Sequence, residues 1–103
     1  MEDEDLLVLA AKNNTTEWNT LKFAEELFEC GEAVIKYSTK KGSNKPSLEN
    51  MAKEFIDVML RGTMFFAKEF PDDEIDKILE TYLEKKEQGI INRFQSKPGA
   101  KDA

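Results

Sequence analysis

Two short acidic clusters, each set inside an apolar helical stripe, constrain this chain more than any other feature. The first is Glu25-Glu26-Leu27-Phe28-Glu29 and the second is Glu54-Phe55-Ile56-Asp57. In each, carboxylates recur at three- or four-residue spacing, which on an α-helix places them on one face, one turn apart. Glu26 and Glu29 make the first pair, with Glu25 on its flank, and Glu54 and Asp57 make the second. Large apolar residues interleave with them, and a carboxylate buried among such residues is costly without a compensating partner. Packing the two helices antiparallel through their apolar stripes lets the pairs face each other. Four like charges at that range raise their own pKa values. An oxygen-only set of this kind suits a hard divalent cation, Mg²⁺ or alternatively Mn²⁺. The competing reading is a solvated, salt-bridged face. Lys22 lies four residues before Glu26, Lys53 four before Asp57 and Arg61 four after it. Recurrence at matching spacing on two helices, and the tight apolar interleaving, weigh against that reading.

Composition narrows the function classes. The chain has 103 residues, enough for one domain with one modest core. It is 35% charged with only five Gly and three Pro, which favours helices over a β-rich sandwich. A net charge of −6 argues against a nucleic-acid polymer or an anionic membrane as partner, since both need a basic footprint. There is no histidine. That removes Ser-His-Asp and Cys-His chemistry, and it removes the Glu-x-x-His pairs of a di-iron bundle. The one cysteine, Cys30, allows no internal disulfide and points to a reducing compartment. Its helical neighbours make it a small core residue rather than a nucleophile. Residues 1–5 are acidic where a signal peptide is basic, and the longest apolar run, Leu6 to Ala11, is too short to span a bilayer. The expected location is cytoplasmic.

The spacing predicts a short helix over residues 3–12, a break at Asn13-Asn14-Thr15-Thr16, and a second helix from Glu17 to Tyr37 capped by Thr15 or Thr16. Its buried positions are expected to be Leu21, Ala24, Leu27, Phe28, Gly31, Val34 and Ile35. Ser38 to Pro46 reads as a loop. Ser47 is expected to cap a third helix, Leu48 to Phe70, buried along Leu48, Met51, Ala52, Phe55, Ile56, Met59, Gly62 and Phe66. Asp72 is expected to cap a fourth, carrying Ile75, Ile78, Leu79, Tyr82 and Leu83 and stopping at Gly89, with one more turn over Ile90–Phe94. The expected architecture is all-α: a single domain over residues 1–95, an antiparallel four-helix-type bundle, followed by a flexible tail over 96–103. Met59, Met64, Phe65, Phe66 and Tyr82 are too many large apolar residues for one side of one small bundle. Oligomerisation, as a homodimer or a larger assembly, is therefore expected to complete it.

The string Glu25-Glu26-x-x-Glu29, a gap of a few tens of residues and then Glu54-x-x-Asp57 resembles the signature of the MazG-like, all-α nucleotide pyrophosphohydrolases. A Leu-Lys-Phe-Ala lead-in and an Ala-Lys before the second motif are also similar, and the resemblance covers roughly residues 17–95. It implies a helical homodimer or homotetramer that hydrolyses a nucleoside triphosphate to monophosphate and pyrophosphate with Mg²⁺. It also implies that Glu25, Glu26 and Glu29 are catalytic positions, with Glu26, Glu29, Glu54 and Asp57 as metal ligands. A water then attacks phosphorus, and a carboxylate takes its proton because no histidine exists to do so. Related proteins often place substrate contacts after the last long helix, where Lys86, Asn92 and Arg93 stand here.

Other residues carry two readings each. Lys36, Lys40, Lys41 and Lys45, around the loop between the motif helices, are either a clamp on a phosphate tail or solvated charges at a helix C-terminus. Trp18 and Phe23 either stack on a base or pack in the core or an interface. The alternative for the whole chain is a non-catalytic helical oligomerisation or interaction protein whose acidic clusters are solvated.

Overall fold

A computed structural model of the chain describes residues 3–70 and 74–97. These residues form four helices and no strand. The chain divides into two compact units, residues 1–70 and 71–103.

In the first unit, α1 spans Asp3–Asn13, α2 Thr16–Thr39 and α3 Leu48–Glu69. Local chemistry sets their ends. The Thr15 hydroxyl accepts the Trp18 N–H at 3.0 Å and starts α2, as expected of a threonine N-cap. Ser47 does the same for α3, accepting the Asn50 N–H at 3.0 Å. Between them lies one 3₁₀ turn, Gly42–Asn44, entered through a left-handed residue. Gly42 supplies that φ of +63°, which a residue with a Cβ adopts only under strain.

Both α1 and α2 pack on α3. The α2–α3 pair is an antiparallel hairpin. Phe23, near the start of α2, stacks on Phe65 near the end of α3 with ring centroids 5.7 Å apart, while Glu29 meets Glu54 further toward the loop. Phe66 extends the aromatic group to Phe65 at 5.3 Å and Phe70 at 5.9 Å. Buried Gly62 lets the helices approach here: a Cβ at that position would lie 3.1 Å from the Phe23 ring. The end of α1 is fastened twice. Buried Asn19 on α2 donates to the Ala11 carbonyl at 2.9 Å and accepts from Asn14 at 3.0 Å. Lys68 on α3 donates to the Lys12 carbonyl at 2.9 Å.

The face of α2 turned to α3 differs from the stripe expected to be buried. Buried or half-buried positions on α2 include Asn19, Phe23, Glu26, Cys30 and Ala33, a three-four alternation one step away from Leu21, Leu27, Val34 and Ile35. Those four are exposed, as are Gly31 and Phe28, the latter at 79%. On α3 the half-buried line runs Met51, Glu54, Val58, Arg61 and Phe65, whereas Leu48, Ala52, Phe55, Ile56 and Met59 are exposed. Expected burial holds for Gly62 and in part for Ala24, Met51 and Phe66. The reason is that each motif helix carries apolar residues over more of its circumference than the helices packed on it cover. Among the described residues no large side chain is fully buried.

The second unit contains α4, Glu74–Ser96. The expected cap, Asp72, lies outside the described residues. The expected stop at Gly89 does not occur. A mid-helix glycine costs only about 1 kcal/mol relative to alanine. The following turns are helix-competent, and Gln88 donates to Asn92 across Gly89 at 2.8 Å. The helix therefore reaches Ser96, the first residue expected in the tail. The rest of that tail beyond Lys97 lies outside the described residues. No helix among the described residues is long and apolar enough to cross a membrane.

Candidate metal centre

The half-buried seam of the α2–α3 hairpin carries two acidic side chains, Glu26 from α2 and Glu54 from α3. Glu29, one turn on from Glu26, is exposed at the mouth of the same seam. One carboxylate oxygen from each of the three lies within 4.8 Å of the others. The Oε2 atoms of Glu26 and Glu54 are both buried and have no hydrogen-bond partner among the described residues. Unpartnered buried oxygens are uncommon and call for an explanation.

Burial is the largest cause holding the Glu26 carboxyl above its ordinary value of 4.5. The charges of Glu29, Asp57 and Glu54 add to it in that order, and the Arg61 guanidinium opposes them. Low local dielectric and like charge both favour the neutral acid.

The two lysines offered by the salt-bridge reading pair with other acids, while Arg61 acts on Glu26 by its charge. Lys22 sits 3.3 Å from Glu25 rather than on Glu26. Lys53 pairs with Glu49 at 3.6 Å. Arg61 directs Nη1 at the Met64 sulfur, 3.9 Å away.

Of the five motif acids, the structure thus brings together Glu26, Glu29 and Glu54. Asp57 is exposed and outside the 4.8 Å group, yet its charge acts on Glu26. Glu25 is exposed, directed to Lys22 and outside the group. A cleft of about 360 Å³ opens beside the group toward the α2–α3 loop, lined by Glu29, Ala33, Lys36, Asn50, Lys53 and Glu54 among others. Lys36 belongs to that lining, but its ammonium lies 2.7 Å from Glu32, whose carboxyl is held low first by that hydrogen bond and then by the Lys36 charge. Lys40 and Lys41 are exposed beyond the end of α2, and Lys45 stacks over Tyr37 at 4.2 Å.

Trp18 lies more than two helical turns from Glu26, half-exposed under the Lys22 ammonium at 4.7 Å. Phe23 is part of the aromatic group, which favours its packing role. Lys86, Asn92 and Arg93 are exposed on α4. Asn50 and Glu32 went unnoticed in the sequence, although its spacing points to them, and Lys53, expected only as a partner of Asp57, lines the cleft. Continuing the three-four step from Glu29 reaches Glu32, Ala33 and Lys36, and stepping back from Glu54 reaches Asn50.

Comparison with protein-family models, with curated proteins and with solved structures finds no match for this chain.

Proposed function

We propose that this chain is a divalent-cation-dependent nucleoside triphosphate pyrophosphohydrolase acting as a homo-oligomer in the cytoplasm. The observation that carries the reading is the convergence of Glu26, Glu29 and Glu54 with two buried oxygens left unpartnered. The residues present fit a hard cation: every donor is a carboxylate oxygen, and the orphaned atoms lie in the group itself. Glu26, Glu29 and Glu54 would hold it, with Asp57 completing the set. A bound Mg²⁺ supplies positive charge and Lewis acidity against the anionic triphosphate.

The chain's own residues do the rest. The carboxylates would hold the cation that draws the reacting phosphate to the seam, where positioning is the larger part of phosphoryl chemistry. Water forms a bond to the α-phosphorus, the bond from that phosphorus to the bridging oxygen breaks, and pyrophosphate departs. The proton from water passes to a carboxylate. Glu25 is outside the 4.8 Å group and can take that role when it leaves Lys22.

The exposed apolar stripe of α2, with Phe28 at its centre, supports the homo-oligomer. It also favours the second reading, a helical assembly module without catalysis. A screen of nucleoside triphosphates with Mg²⁺, reading out pyrophosphate, separates the two. Turnover that disappears in Glu54→Gln, with helical circular dichroism retained, is the expected result. No turnover on any triphosphate, together with no Mg²⁺ binding by calorimetry, refutes the hydrolase.

A further inference from the structure

The hydrolase reading leaves open how a triphosphate lies along the seam, and the cleft beside the carboxylate group bears on that. We infer that this cleft is the subsite for the outer two phosphates of the substrate, with Lys36 and Lys53 as their clamp. The inference rests on the proposed hydrolase activity and adds the direction of the bound substrate and the residues that set it.

The carboxylate group stands at one side of the cleft, where Glu29 and Glu54 belong to both. The cleft then runs toward the α2–α3 loop, and its two basic side chains come from opposite walls, Lys36 from α2 and Lys53 from α3. Asn50 adds an amide, one turn from Glu54. Phosphate oxygens demand donors and positive charge, and bare carboxylates repel them. An α-phosphate at the carboxylates therefore places the outer phosphates between the two lysines. Each ammonium is presently held by an acid four residues back on its own exposed helix face, Lys36 by Glu32 and Lys53 by Glu49. Such pairs are weak and solvent-screened, so a polyphosphate anion can displace them. Lys40 and Lys41, beyond the end of α2, extend positive charge in the same direction. Toward the opposite end, with its packed phenylalanines, Lys22 pairs with Glu25, Lys68 donates to the Lys12 carbonyl and Arg61 faces the Met64 sulfur.

The test uses the full chain, Mg²⁺ and inorganic pyrophosphate. In Lys36→Ala/Lys53→Ala the dissociation constant of pyrophosphate with Mg²⁺ should rise at least about tenfold. The affinity for Mg²⁺ alone should stay within about twofold of wild type, since neither lysine is a ligand. For an active triphosphate, KM should rise with kcat little changed, the mark of lost binding rather than lost chemistry. Lys36→Arg/Lys53→Arg should restore most of both. If the wild type turns over triphosphates while the double alanine variant binds pyrophosphate as tightly, the clamp is refuted and the hydrolase stands. If the wild type binds Mg²⁺-pyrophosphate through these lysines but hydrolyses nothing, the hydrolase falls and the clamp stands. If it binds neither Mg²⁺ nor pyrophosphate, both fall.

Discussion

Replacing Glu26 with glutamine should stabilise the metal-free protein. Glu26 shares a region of at most 4.8 Å with Glu29 and Glu54, and its Oε2 is buried without a partner. Two unit charges at that 4.8 Å limit repel by about 0.9 kcal/mol in bulk water and about 3.5 kcal/mol at an effective dielectric of 20. Glu29 is exposed, so its share lies near the lower figure, and the Arg61 attraction that glutamine forfeits subtracts further. A net gain of about 1–2 kcal/mol follows, or roughly 5–10 °C in Tm for a domain of this size. Glutamine also brings two N–H donors for the neighbouring carboxylates. The sign with pH is fixed. A carboxyl held above its unfolded value binds protons preferentially in the folded state, so its penalty is full above the folded pKa and fades as pH falls through it. Wild type should therefore close the gap on Glu26→Gln as pH drops toward the ordinary 4.5. Added Mg²⁺ should reverse the order, because a ligand that binds only the folded state stabilises it in proportion to its occupancy. Thermal melts followed by circular dichroism, in chelator and then in Mg²⁺, read all three effects. A Glu26→Gln protein no more stable than wild type in chelator, with a pH-independent difference, would refute the argument.

Three further outcomes are expected. Asn19→Ala removes the buried amide that caps the Ala11 carbonyl and receives Asn14, and should cost about 1–3 kcal/mol by denaturant titration. Two of the three helix-interior glycines among the described residues, Gly62 and Gly89, should respond oppositely. Gly62→Val drives side-chain atoms into the Phe23 ring and should cost about 1–3 kcal/mol, whereas Gly89→Ala meets open space and should raise the melting temperature by reducing the entropy lost on folding. Phe28→Glu, on the most exposed large apolar side chain, should shift the sedimentation profile from oligomer toward the 11.8 kDa monomer. A wild-type protein sedimenting as a fully active monomer would contradict the assembly.

Helix content and helix starts were legible in the chain because their causes are local. A threonine or serine hydroxyl one position before an apolar-periodic run satisfies backbone donors wherever the run packs, and Thr15 and Ser47 do this. The carboxylate spacing was legible for the same reason: three residues on a helix is always about one turn. The continuation of α4 through Gly89 was misjudged because a glycine penalty of about 1 kcal/mol is small beside the cooperative gain of the turns on either side.

What the sequence could not determine is which face of α2 meets α3. Its most apolar stripe, through Leu21, Leu27 and Val34, is exposed, while the adjoining face with Asn19, Phe23 and Glu26 forms the hairpin seam. Periodicity states that a face exists and not what covers it. That choice is made between helices, where Gly62 admits the Phe23 ring at one end and Glu26, Glu29 and Glu54 converge at the other. The same packing decision separates Glu25 from Glu26, adjacent in sequence: about 100° of helical rotation leaves one ion-paired with Lys22 and puts the other in the seam. The sequence by itself thus determined the helices and the supply of carboxylates. Only the tertiary structure decided which of them share a site, because convergence depends on the contact between two helices rather than on the period within either.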